Sequence, residues 1–214
     1  MGHRWSTSRI EAFSDGVFAI AITLLVLDIR VPPTQYDDLW QGIADEWPAY
    51  FGFATSFLTI GACWLLHHGV FRRLRYADVN IIRLNLLLLM AVSFLPFPTR
   101  LMAEAIHDVD AERAAVITYG INLFVISIIF GAMWEVVRRH PELLEPEVTP
   151  AEVDAYRRVT APNVGFYFTM IVLAALFSKG AAFGFLVIAI ASVLRVRGDL
   201  SVGPDERPRR EARS

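Results

Sequence analysis

Long apolar segments set the strongest limit on how this chain can fold. A helix needs roughly 20 mostly apolar residues to cross the hydrocarbon core of a bilayer. Hydrophobic residues make up 55% of the chain, above the 45–50% or so of soluble domains. We therefore predict an all-α polytopic membrane protein, with a six-span domain over residues 1–198 and a disordered polar tail over 199–214. The expected transmembrane helices lie at about 10–30, 48–70, 80–98, 112–137, 160–178 and 180–196.

Prolines and capping residues predict several helix boundaries. The third span is expected to stop at Pro96 and Pro98, because proline ends a helix. Spans five and six are separated only by residues 178–180, which predicts a tight helical hairpin. The sequence TPAE at 149–152 has the pattern of a capping box, and indicates a short cytoplasmic helix leading into span five.

The distribution of arginine and lysine predicts the orientation. When the ends and loops are assigned alternately to the two sides, one side receives fifteen of the 20 basic residues. The other side receives four, and Arg83 lies inside the third span. Cytoplasmic loops of membrane proteins carry the excess of basic residues. We therefore expect a multi-pass protein with both termini in the cytoplasm.

Several functional classes lack their signatures in this sequence. It contains no phosphate-binding loop, no dinucleotide fingerprint, no TVGYG-like filter and no regularly spaced arginines of a voltage sensor. His67 and His68 are adjacent and diverge by about 100° on a helix, so they cannot bind one metal ion together. We therefore expect no enzymatic activity, cofactor, fixed metal site or nucleic-acid partner.

The first apolar segment, FSDGVFAIAITLLVLDIR at 13–30, carries polar residues among apolar ones. At 100° per residue, one helical stripe contains Phe13, Gly16, Ile20, Thr23, Leu24 and Leu27. Periodicity alone allows this stripe to face lipid, another helix or a pore. Thr23 also has a possible local role, since threonine in a span often bonds back to the carbonyl four residues earlier.

Asp15 lies about 140° from Ile20, so its carboxylate should face neighbouring helices and not the stripe. A carboxylate in a span is costly and is usually paired. These positions favour a polar bracket that fastens span one to spans two and three. The candidate partners at the same depth are Arg9, His67, His68, Asn80, Arg83 and Asn85. In the alternative, Asp15 is a helix-start residue that the helix dipole stabilises near the headgroups.

The segment RIEAFSDGVFAIAITLLVLDI, Arg9 to Ile29, resembles the first-span signature of the transmembrane protein 175 family of potassium channels. That family includes endosomal and lysosomal channels and their bacterial relatives. Arg9 followed by Phe13-Ser14-Asp15 is the most specific part of the resemblance, which WLLHHGVF (64–71) and NLLLLMAVSFLPFPT (85–99) support. The second half of the chain is similar only in span number. A single six-span unit resembles the bacterial members, in which four chains surround one pore.

The resemblance implies a role for each of these residues. In that family the first helices line the pore, and bulky aliphatic side chains form its constriction. Ile20 matches the narrowest ring, and Leu24 and Leu27 match further rings a turn outward. Thr23 matches a hydroxyl ring tied to potassium preference. The FSD residues match a network that holds the pore helix against spans two and three, to which we assign Arg9, Ser14, Asp15, His67, His68 and Asn85.

We therefore expect a weakly selective, homotetrameric potassium channel of the bacterial plasma membrane, gated by dewetting of a hydrophobic collar. Its partners are copies of itself, the lipid bilayer and permeant monovalent cations, with potassium passing Ile20 and Thr23. Asp28, near the outer mouth, either concentrates cations or pairs with an arginine such as Arg30. The sequence also allows two alternative functions. One is a proton-coupled transporter or proton leak that uses Asp15 with His67 or His68, and the other is a scaffold without transport.

Overall fold

The computed structural model describes the backbone of residues 5–200 and their side chains, except those of 107, 159, 160, 178, 179 and 195–200. Most of the expected polar tail, residues 201–214, lies outside the described residues. Within them the chain is helical without a β-sheet, which confirms the predicted all-α class. The α-helices of this range are α1 (Thr7–Leu24), α2 (Leu39–Asp45), α3 (Trp47–Phe71), α4 (Val79–Phe94), α5 (Pro96–Glu104), α6 (Val109–Arg139), α7 (Pro150–Leu176) and α8 (Ser178–Leu200).

Five segments of the described chain are long and apolar enough to cross a membrane. They are Thr7–Asp28, Trp47–Phe71, Val79–Glu104, Val109–Arg139 and Pro150–Leu176. The sixth expected span corresponds to a shorter apolar stretch, Gly180–Leu194 within α8. The chain is therefore an integral membrane protein, and the count of six spans stays a prediction.

A helix of the third span ends at the two prolines, as the sequence predicted, but the apolar segment continues past them to Glu104. α4 ends at Phe94, and α5 begins at Pro96 and continues to Glu104. Leu95 between them keeps a helical conformation and its amide donates to the Val92 carbonyl across 3.1 Å. A proline in the first turn of a helix loses no hydrogen bond, because the amides of that turn have no partner within the helix. The prolines therefore start a second helix instead of ending the span.

The expected cytoplasmic helix and span five form one continuous helix, α7. Thr149 caps its start, where the Glu152 amide donates to the Thr149 hydroxyl across 3.3 Å. Only Phe177 separates α7 from α8, so the two helices form the predicted tight hairpin.

α6 lies at the centre of the described bundle and packs against α4, α5, α7 and α8. Gly120 of α6 allows a close approach of α7 and α8. A Cβ atom there would come within 2.8 Å of the Ile171 side chain and 2.9 Å of the Phe185 ring. Small residues at such positions let transmembrane helices pack closely. α1 lies to one side of this bundle, where it packs against α3 and α4.

Short main-chain bridges tie the start of α1 to the loops at the same end of the bundle. Trp5 and Ala77 exchange two amide-to-carbonyl hydrogen bonds of 3.0 Å. Leu74 and Leu144 form a second bridge, which joins the α3–α4 loop to the α6–α7 connection. These contacts fix the height at which α1 enters the bundle.

Candidate functional site

The first helix has one buried and one exposed face. The buried face packs against α3 and α4, and it carries Ser14, Phe18 and Ala21, followed by Leu25 in the next turn. Ile20 on the other face is 62% exposed, whereas Ser14 is fully buried. The exposed side of the helix includes Phe13, Gly16, Ile20, Thr23, Leu24 and Leu27. The sequence-predicted stripe is therefore a surface that no other described helix of the chain covers.

Thr23 forms the hydrogen bond to the carbonyl four residues earlier that is common for threonine in a transmembrane helix. Its hydroxyl donates to the carbonyls of Ala19 and Ile20, each across 2.9 Å. The proton is therefore used within the helix. The lone pairs of the hydroxyl oxygen remain available as acceptors on the exposed side, because a hydroxyl carries one donor and two acceptor sites.

The stripe changes geometry beyond Leu24. Residues Leu25–Asp28 form a 3₁₀ turn, in which successive side chains are about 120° apart instead of 100°. Leu27 is still 56% exposed, so it continues the uncovered surface. The Leu27 carbonyl accepts a hydrogen bond from Arg30 Nε across 2.8 Å. This bond holds Arg30 against the end of the first span.

Asp28 lies at the rim of a pocket of about 310 Å³, which it lines with Arg30, Arg100 and Glu104. Arg100 pairs with Glu104 across 2.7 Å. Within residues 5–200, Asp28 has no ion pair with any arginine. Its carboxylate therefore lies near basic and acidic side chains, but among the described side chains it forms no direct ion pair.

A chain of buried hydrogen bonds supports the opposite face of α1. Because the Asn85 side-chain oxygen only accepts, His67 donates to it through Nε2, across 2.9 Å. The Asn85 amide donates to Ser14 Oγ across 3.0 Å, and Ser14 donates to the Ile10 carbonyl across 2.8 Å. Ser14, His67 and Asn85 are each at most 1% exposed. These bonds connect α1, α3 and α4 through side chains whose donors and acceptors match.

Aromatic rings surround the histidine of this network. The His67 ring stacks on Phe71 with centroids 4.4 Å apart, and its centroid lies 5.4 Å from that of Phe18. Apolar walls exclude water, which strengthens a satisfied polar network and makes an unsatisfied group costly. The network therefore fixes the rotation of α1 about its own axis.

Asp15 makes a separate contact, which differs from the sequence-based candidates. Its Oδ1 accepts a hydrogen bond from Trp64 Nε1 across 2.8 Å. Arg9, the two histidines, Asn80, Arg83 and Asn85 are not its hydrogen-bond partners in the described residues. Helix geometry explains the correction, because Trp64 and His68 lie one turn apart on the side of α3 that faces Asp15. Trp64 is 39% exposed, and its indole N–H can only donate, so a nearby carboxylate such as Asp15 was a candidate partner available in the sequence.

The remaining residues assigned to the network occupy its edge. His68 stacks on Trp64 with centroids 5.8 Å apart, and its Nδ1 lies 3.9 Å from Glu11 Oε1. Arg9 is exposed at the start of α1, without a hydrogen bond or ion pair to any described residue. The six assigned residues therefore fall into a buried chain, an indole–carboxylate pair with an adjacent histidine, and a separate arginine.

A second buried cluster of hydroxyl groups lies between α3, α5 and α6. The sequence did not predict it. Ser56 lies 2.6 Å from the Thr99 hydroxyl and 3.2 Å from the Tyr119 hydroxyl. Thr59 lies 3.4 Å from the same tyrosine and donates to the Thr55 carbonyl. These bonds join α3 to α5 and α6 behind the helix that carries the stripe.

No group of three or more histidine, cysteine, aspartate or glutamate side chains that could hold a metal ion occurs in the described residues. The exposed stripe offers aliphatic side chains and one hydroxyl. Such a surface can exclude or admit water and ions, but it has no ligand set that would hold an ion in place.

Comparison with known proteins relates the chain to channels, some of which are named potassium channels and others endosomal/lysosomal proton channels. A family model described as the endosomal/lysosomal potassium channel TMEM175 matches residues 9–96. The chain is 40% identical over 195 residues to a potassium channel of Chamaesiphon minutus, covering 88% of this chain and 94% of the relative. It is 39% identical over 166 residues to a potassium channel of Streptomyces collinus, covering 77% and 81% of the two chains.

The fold is also similar to a solved structure. The crystal structure of a lysosomal potassium-selective channel TMEM175 homolog from Chamaesiphon minutus superimposes with a TM-score of 0.80. The match covers 89% of this chain and 97% of that chain, at 37% sequence identity.

Proposed function

The chain belongs to the TMEM175 family, and from this premise we propose that it is a potassium-permeable, weakly selective cation channel. In this proposal, six spans cross the membrane with both termini in the cytoplasm. The first helices line the pore, and Ile20, Leu24 and Leu27 form its constriction. The observation that carries the proposal is the exposed stripe on α1, which lies opposite a face held by buried hydrogen bonds.

The geometry of one helix supports an assembly of several copies. A single exposed stripe cannot enclose a pore, and an α-helix is only about 10 Å across with its side chains. The members that this chain resembles use four copies, so we propose a homotetramer. In such an assembly the stripes would meet on the symmetry axis, and Ile20 would be buried by its three equivalents. Burial of an otherwise exposed isoleucine would add to the stability of the assembly.

The gate in this proposal is a dry collar. Aliphatic rings provide no hydrogen bonds to water or ions, so a narrow ring of Ile20 and Leu24 empties of water and blocks conduction. A small rotation or outward movement of the helices would let water in. Aliphatic side chains cannot replace the hydration shell of an ion, so selectivity from the collar itself is weak.

Thr23 is the residue of the stripe that can distinguish cations. Its proton is donated to the backbone of the same helix, so its oxygen would present lone pairs to the pore. A ring of such oxygens attracts a partly dehydrated cation without holding it tightly. The same bonds fix the hydroxyl in one orientation, which favours a reproducible ring in a symmetric assembly.

The proton-relay alternative has less support in the hydrogen bonds. Asp15 accepts from Trp64, while His67 donates to Asn85, so the carboxylate and the buried imidazole are in separate groups. A direct relay between them would require both groups to exchange partners. His68 stacks on Trp64 and lies near Glu11, without a bond to Asp15 in the described residues.

Reconstitution into liposomes tests the proposal. Purified protein should give single-channel currents, with a reversal potential under potassium/sodium bi-ionic conditions that favours potassium modestly. Saturable flux with strict proton coupling would support the transporter instead. The absence of any flux from a folded, assembled protein would support the scaffold and remove the channel proposal.

A further inference from the structure

An apolar cavity that is open on one side lies away from the α1 stripe. It has a volume of about 220 Å³ and is bounded by α3, the end of α5, the start of α6 and the start of α8. Its lining includes Trp47, Phe51, Met102, Glu112, Val116 and Phe183. None of the pore-stripe residues lines it, so its occupancy is separable from conduction through that surface.

The size of the cavity selects small ligands. An engineered apolar cavity of about 150 Å³ binds benzene. A volume of about 220 Å³ therefore accommodates one aromatic ring together with a short chain.

Aromatic rings form one part of the cavity wall. The rings of Phe51 and Phe183 lie 4.9 Å apart at an angle of 60°, and Trp47 lines the same space. Aromatic pairs favour such tilted or offset arrangements. A ligand with an aryl ring would therefore find both apolar area and suitable ring partners here.

Glu112 supplies the charge of the site. It is only 4% exposed, and among the described residues that line the cavity it is the one ionisable side chain. It takes part in a further polar interaction as well, and a carboxylate offers about four acceptor positions, so it can accept an additional N–H donor. Its position in the first turn of α6 is also favourable for a carboxylate, because the helix dipole is positive at that end.

We propose that this cavity is a binding site for a small arylalkyl ammonium ion, with the aryl ring among Trp47, Phe51 and Phe183 and the ammonium group beside Glu112. A single carboxylate in an apolar wall complements a ligand with one positive charge on an apolar body. A neutral ligand of the same shape gains the apolar contacts but lacks the charge-assisted hydrogen bond. The proposal does not depend on what the pore conducts.

Thermal unfolding of the purified protein with 2-phenylethylamine or 2-phenylethanol tests this site. The two probes have the same size and differ in charge. The amine should raise the unfolding temperature saturably, by roughly 3–6 °C at ten times its half-saturating concentration. The alcohol should produce a much smaller shift at equal concentration. Equal shifts from both probes, or none from the amine, would overturn the proposal.

Three variants locate the effect. Glu112→Gln removes the charge and should reduce the amine shift to that of the alcohol. Glu104→Gln is the matched control, since it removes a carboxylate at the same end of the bundle but outside this cavity, and should keep the full shift. Ala182→Phe fills the cavity and should abolish the response to both probes, which keeps the test decisive if Glu112→Gln fails to fold. A full amine shift in folded Ala182→Phe would place the amine elsewhere, including the pore, and would reject the site.

Discussion

The side-chain amide of Asn85 donates a hydrogen bond to Ser14 across 3.0 Å, although 71 positions separate the two residues. The bond joins α4 to the buried face of α1. Ser14 and the exposed Ile20 lie on different faces of one helix, so the orientation of the exposed stripe depends on a bond behind it. Substitutions on the buried face should therefore affect stability, and substitutions on the exposed face should affect conduction.

Replacing Asn85 should destabilise the protein through its partners. Asn85→Ala leaves the His67 donor and the Ser14 acceptor without their buried partner, at a cost of about 1–3 kcal/mol for each group. The matched control is Asn80→Ala, because Asn80 is exposed and its side chain bonds to the nearby Asp78. Thermal unfolding should show a large loss for the first variant and little for the second. Equal stability of the two variants would contradict the supporting role of the network.

The Asp15–Trp64 pair should behave as one unit. The bond lies between two exposed side chains, and a typical hydrogen bond contributes about 0.5–1.5 kcal/mol net, so Asp15→Ala and Trp64→Phe should each weaken the protein modestly. The double variant should lose little more than either single variant, because the same bond is already absent. Asp15→Asn keeps an acceptor oxygen and should be milder. Fully additive losses in unfolding measurements would show that the two side chains do not depend on each other.

Ile20 should control conduction. Ile20→Asn places a polar group in the proposed collar, so water should enter and basal current should rise while discrimination between potassium and sodium weakens. Ile20→Met keeps the ring apolar but flexible, and its effect should be smaller. The control is Met90→Asn, since Met90 is 64% exposed on α4, away from the stripe. Normal conductance and selectivity of a folded Ile20→Asn protein, recorded in bilayers, would remove the pore assignment.

Thr23 should affect ion preference more than stability. Thr23→Ala removes an oxygen from the proposed pore surface, so we expect a shift in the potassium/sodium reversal potential with little change in total current. Thr169→Ala is a close control, because Thr169 is also exposed and donates to the carbonyl four residues earlier. Both variants should unfold at nearly the wild-type temperature. If the two variants changed selectivity equally, the effect would not come from the α1 stripe.

Reporter fusions test the predicted orientation. Fusions after Arg75 and after Ser214 should be cytoplasmic, and a fusion near Asp108 should be external. The expectation follows from the excess of basic residues on one side of the chain. A cytoplasmic signal at Asp108 would contradict the predicted orientation.

Local chemistry accounts for what the sequence predicted well. Apolar length indicated the membrane helices, and Thr149 with Pro150 marked the start of α7, because capping depends only on neighbouring residues. Pro96 and Pro98 were predicted to end the third span, and they do follow the end of α4, but a second helix begins at Pro96. The same proline geometry both ends one helix and begins the next, and only the path of the chain around Leu95 distinguishes the two.

The site shows where sequence reasoning ends. The 3.6-residue period of a helix was enough to group Ile20, Thr23 and Leu24, and it placed Asp15 on another side. It could not choose the partner of Asp15, because that choice depends on the rotation and height at which α3 packs against α1. The tertiary structure gave Trp64 that position and gave Asn85 to Ser14 and His67. Hydrogen bonds form over about 3 Å, so a rotation of one helix by a single residue would exchange every partner. Sequence therefore determined the faces of the first helix, and tertiary packing decided which side chains hold it in place.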